Sequence, residues 1–123
     1  MKSRKEKIRN SLNEAKEFLD DIIKRLHNGK GLNELKISIW NAYSLVEYAI
    51  GIAKLELKNV SSRKYKPMNS ENQRDVILFA YDKVSEALIL LTKDVFKALD
   101  CMRDARDTLK EVLISIRPTR RKD

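Results

Sequence analysis

An all-α fold, arranged as an antiparallel four-helix bundle, is what this sequence predicts, on three observations. Apolar residues recur three and four positions apart through most of the chain, the spacing of one helix face. Only three Gly and two Pro occur in 123 residues, so little breaks long helices or punctuates short strands. A composition of 42% hydrophobic and 36% charged residues is that of a globular chain, too apolar for a disordered one. One domain with its own core is expected over residues 1–117, followed by a basic tail at 118–123.

The first helix opens at Ser3, whose pairing with Glu6 reads as a capping box. Ile8, Leu12, Ala15, Leu19, Ile22 and Leu26 then form one stripe. The run ends at "HNGKG", where Gly29 can take the left-handed conformation that closes a helix. A second helix is expected over residues 33–58, on Leu35, Ile39, Ala42, Val46, Ala49 and Ala53. Trp40, Tyr43, Leu45, Ile50 and Ile52 widen that stripe, and a face so broad implies more than one neighbour. Trp40 and Tyr43 are expected in the core. Gly51 costs such a helix about 1 kcal/mol, and close approach of another helix is the expected reason for it.

After the stretch "SSRKYKPMNSEN", a second capping box is read at Ser70 and Gln73. From Ile77 to Ile116 the four-three spacing runs on until Pro118. The half beyond Val95 is too apolar on one face to stand in water. Two solutions are open: the chain reverses at residues 91–94, with Thr92 as N-cap, or one long helix completes the same bundle by domain swap with a second copy.

Chemistry is sparse. His27 is the single histidine, so a Glu-x-x-His di-iron site is excluded, and a helix C-terminus suits it. Cys101 is the single cysteine; it forms no intramolecular disulfide and is expected to pack as a small apolar group. "NGKG" lacks the strand, the length and the ending of a phosphate loop. Asp100, Asp104, Asp107 and Glu111 alternate with Arg103, Arg106 and Lys110, which reads as a solvated, salt-bridged face rather than a metal site. No catalytic residue, metal or cofactor is expected, and the chain is read as a non-enzyme. No apolar run approaches the roughly 18 residues of a membrane span, and the charged start lacks a signal-peptide core, so a cytoplasmic protein is expected.

The net charge of +8 is unevenly placed: +4 over residues 1–30, +3 over 60–74, +3 over 117–123, and −2 over 75–116. In an up-and-down bundle the N-terminus, the 60–74 connection and the tail would share one end. That would gather Lys2, Arg4, Lys5, Lys7 and Arg9 with Arg63, Lys64, Lys66, Arg117, Arg120, Arg121 and Lys122 into one positive pole. Tyr65 could stack on an unpaired base there. The connection is also longer than the usual 2–8 residues between bundle helices, which favours a role for it.

Residues 12–54, "LNEAKEFLDDIIKRLHNGKGLNELKISIWNAYSLVEYAIGIAK", resemble the first helical hairpin of HEPN-type domains. The likeness lies in an Ala-x-x-Phe-Leu helix, a short Gly turn, and Ala42, Tyr43 and Glu47 in the second helix. The resemblance implies a small helical bundle, often dimeric, from a group holding RNA-cleaving toxins and non-catalytic partners of nucleotidyltransferases. Catalytic members carry Arg, four to six residues, then His. Here the positions where that Arg would fall before His27 are Asp20, Asp21 and Ile22, so the resemblance implies a non-nucleolytic member.

Two functions are therefore expected in outline. One is a non-catalytic helical binding module whose basic pole contacts RNA or DNA. The other is a protein-interaction subunit of a prokaryotic two-component complex, of the nucleotidyltransferase or toxin–antitoxin kind. A homodimer is expected in either case.

Overall fold

The computed structural model describes residues 3–57 and 72–116. Four helices, α1 (Arg4–His27), α2 (Lys36–Glu56), α3 (Gln73–Leu90) and α4 (Val95–Ser115), enclose one core, and no strand occurs among the described residues. The sequence stripes are that core. Ile8, Leu12, Leu19 and Ile22 of α1 meet Ile39, Val46 and Ala53 of α2, Ile77 and Val84 of α3, and Leu99, Met102 and Leu109 of α4.

Local chemistry sets the helix ends. Ser3 Oγ accepts the Glu6 N–H at 3.1 Å, satisfying a donor the helix cannot pair itself. At the far end of α1 the Gly29 N–H donates to Leu26 O and the Lys30 N–H to Arg25 O. With Gly29 at φ +93°, this is a Schellman closure. A 3-10 turn, Leu32–Leu35, then precedes α2. The expected start of α2 at residue 33 is thus three residues early, because the Gly31 N–H donates to Glu34 Oε1 and tightens the first turn. That bond, with Lys30 nearby, holds the Glu34 carboxyl below its ordinary range. Asn72 caps α3, its Oδ1 accepting from Arg74 and Asp75, while Ser70, read as the cap from the sequence, lies outside the described residues.

The chain reverses after α3, which removes the long-helix alternative. Leu90 O accepts from Lys93 and Asp94, and Leu91 is fully buried in the turn. Asp94 is extended at φ −152° and its side chain accepts the Lys97 N–H, so Asp94 rather than Thr92 is the cap. An extended residue does here what a glycine would otherwise do.

The topology departs from a simple up-and-down meander. α1 packs on α2 and α3, and α4 packs on α2 and α3, so α1 lies diagonal to α4. Arg4 Nη1 donates to Leu55 O, which sets the start of α1 beside the end of α2. Trp40 shares a cleft with Ile114, and Arg106 pairs with Glu47, so α4 runs antiparallel to α2. Cys101 against Glu86 and Lys83 against Asp104 make α4 antiparallel to α3 as well. Neighbours are thus antiparallel around the ring, whereas α2 and α3 run the same way across a diagonal. This is a bundle with one long crossover. The connection from Leu57 to Asn72 joins opposite ends of the molecule, a span of about 30 Å for helices of this length.

Candidate functional site

Of the basic residues read from the sequence, Arg4, Lys5 and Lys7 are exposed on the first turns of α1 and Arg9 is half-buried. Lys2, Arg63, Lys64, Tyr65, Lys66, Arg117, Arg120, Arg121 and Lys122 lie outside the described residues. The single-pole expectation falls mostly on loop and tail residues outside the described ones. Arg4 stands by Leu55, but α4 ends at Ile116 near the start of α2, at the other end of the bundle. Ile116, the last described residue, therefore lies at the end opposite the N-terminal basic turns. The crossover also accounts for the length of the 57–72 connection, which needs no functional reason. Arg4 in turn serves a structural purpose, satisfying a carbonyl at the C-terminus of α2.

The acidic–basic face of α4 is not fully solvated. Arg103 is buried, with Asp100 at 3.8 Å, and the Asp104 side chain is only 16% exposed beside Lys83. The alternating charges thus run into the joint between α3 and α4. At the joint with α2, Tyr43 Oη donates to Glu47 Oε2 at 3.1 Å, and Arg106 bridges Glu47 Oε1 and Asp107 Oδ1 at 3.2 and 2.9 Å. Burial, then the Glu47 carboxylate, push the Tyr43 phenol up. Burial opposes the Arg106 charge, but the hydrogen bonds to Asp107 and Glu47 outweigh it and raise its pKa. Every charge in this group has a partner, so it clamps α2 to α4 and offers no free acid or base.

Cys101 is buried, and its thiol is pushed up by burial and then by Glu86, 3.7 Å away. A thiol so placed is a poor nucleophile. His27 lies in the last turn of α1, as expected, diagonal to the helix that carries Cys101. No three His, Cys, Asp or Glu side chains among the described residues are placed to hold a metal ion.

What stands out is the outer face of α2. From residue 37 to 53 the helix carries one charge, Glu47, in a chain that is 36% charged. Its inner stripe is buried as expected. A second stripe, Ile37, Trp40, Ser44, Tyr48, Gly51 and Leu55, repeats the same three- and four-residue spacing on the outside. Ile37 is 76% exposed, Leu55 62%, Trp40 55% and Tyr48 51%. Trp40 is therefore not core. It leans on Tyr43, ring centroids 5.4 Å apart, over a cleft closed by Lys36, Lys110, Leu113 and Ile114. Gly51 is exposed, and a Cβ built there would meet no atom within 4 Å, so the expected close approach does not occur among the described residues. The second stripe is visible in the sequence itself. Of the residues read as widening the first stripe, Trp40 alone is exposed; Ile50 is buried, and Tyr43, Leu45 and Ile52 pack half-buried against the core.

No protein-family model, curated protein or solved structure matches the chain.

Proposed function

We propose that this protein is a non-catalytic helical interaction module that holds a protein partner on the outer face of α2. The carrying observation is the uncharged stripe from Ile37 to Leu55 with its half-exposed aromatic residues. Scattered apolar residues are ordinary on a surface, whereas a contiguous uncharged row that includes a Trp and a Tyr has the make-up of an interface core. The resemblance of residues 12–54 to non-nucleolytic HEPN-type domains agrees with a role that needs no catalytic set. A photo-activatable residue placed at Ser44 is expected to cross-link to protein in cells. The same residue at Asp82, exposed on α3, is expected to give few adducts. Equal labelling from the two positions removes the reading.

Contact with RNA or DNA is the second reading, carried by Lys5 and Lys7, exposed on the first turns of α1 in a chain of net charge +8. Fluorescence anisotropy with a labelled single strand tests it. Replacing Arg63, Lys64 and Lys66 by Ala is expected to make the salt dependence shallower, in proportion to the phosphates those side chains neutralise. An unchanged slope, or no binding at low salt, ends this reading.

A further inference from the structure

We infer that the occupant of the α2 face is a second copy of this chain, packed antiparallel about a two-fold axis that crosses the outer face midway between Ser44 and Tyr48. This rests on the reading of that face as a docking surface and adds the partner's identity. Along the helix the outer stripe reads aliphatic, aromatic, small, aromatic, small, aliphatic: Ile37, Trp40, Ser44, Tyr48, Gly51, Leu55. That order is complementary to its own reversal. Turned end for end against itself, the stripe sets Trp40 of each copy on Gly51 of the other. Tyr48 falls on Ser44, and Ile37 on Leu55. All three levels share one centre, at residue 45 or 46. A two-fold interface must be self-complementary in this way, because the same patch serves both sides. A stripe shaped for an unrelated partner is under no such constraint.

Gly51 supplies an independent reason. In an exposed helix interior glycine is poorer than alanine, and no described residue packs against it, since a Cβ there would meet no atom within 4 Å. A facing indole from the second copy is what that space would admit. The stripe also contains no charged residue, so the two-fold sets no like charges against each other along the line of contact.

Sedimentation at high micromolar concentration is expected to show a doubled mass for the unaltered chain. Gly51→Arg is the decisive variant. Because the space beside Gly51 is open among the described residues, the variant is expected to keep its helical circular dichroism while reverting to the single mass. Trp40→Ala is expected to do the same. In a Cys101→Ser background, chains with Ser44→Cys mixed with chains with Tyr48→Cys are expected to form a mixed disulfide on mild oxidation. Chains with Lys97→Cys, exposed at the start of α4, are expected to form none with either. A monomer at high concentration, or a dimer indifferent to Gly51→Arg, overturns the inference. If that happens while Ser44 still cross-links to other proteins, the docking surface stands and only the second copy is lost. If Ser44 labels no more than Asp82, both fall.

Discussion

At the scale of single residues, glycine shows how the same side chain carries opposite meanings. Gly29 sits at φ +93°, a region where a Cβ crowds the carbonyl; Gly29→Ala is expected to lower stability by about 1 kcal/mol. Thermal unfolding of the variant checks this. The role of Gly29 was legible because "HNGKG" ends a clean stripe. Gly51 was legible only as an anomaly, since the sequence cannot say which side of a helix has a neighbour. Trp40 illustrates the same limit: periodicity reports a face, and α2 has two apolar faces, only one of which the other described helices cover. Cys101 offers a chemical check. Burial and Glu86 both raise its pKa, so little thiolate forms in the fold. Its reaction with a disulfide reagent at mildly alkaline pH is expected to be slow and to accelerate on denaturation. Equal rates in the folded and unfolded chain would contradict the burial.

At the scale of helices, boundaries were legible to within a few residues wherever a cap was unambiguous, as at Ser3. They slipped where tertiary contacts chose between neighbours. Thr92 and Asp94 are both good caps. The buried position of Leu91 and the two bonds accepted by Leu90 O fix the turn so that Asp94 reaches the Lys97 N–H. Asp94→Ala is expected to cost about 1 kcal/mol, with Thr92→Ala near neutral; urea midpoints measured on the two variants separate the assignments. The inner stripe of α2 is tightly held. Ala49 and Ala53 are fully buried, so replacing either by Trp is expected to destabilise by about 1–3 kcal/mol through forced backbone shifts. Unchanged midpoints would mean the helix is rotated from its described position.

At the scale of the whole molecule, the all-α class and the four-helix arrangement were legible, because the stripes are long and uninterrupted. The ring order was not. Four antiparallel neighbours can be wired as a meander or with a crossover, and stripe spacing is the same in both. The wiring decides where charge sits. The basic turns of α1 and the last turn of α4 lie at opposite ends of the bundle, farther apart than the Debye length of about 10 Å at 0.1 M salt. Neutralising Lys5 and Lys7 is therefore expected to leave the effect of neutralising Arg120, Arg121 and Lys122 on polyanion binding unchanged, the two acting additively. Strong coupling between them in an anisotropy titration would argue for one pole after all.

The crossover also bears on the order of events during folding. α1 with α2, and α3 with α4, are hairpins whose contacts are local in sequence. Contacts between the hairpins must wait until a long loop has closed, and that entropy is lost before any of them forms. Each hairpin is thus suited to act as a nucleus, with docking of the pair as the late event. The bridge from Arg106 to Glu47 joins the two hairpins and belongs to that late stage. Arg106→Met is therefore expected to steepen the loss of the native state by speeding unfolding, while the folding arm of the chevron hardly moves. Stopped-flow kinetics in urea would display this directly, and a slowed folding arm would place the docking of the hairpins before the transition state.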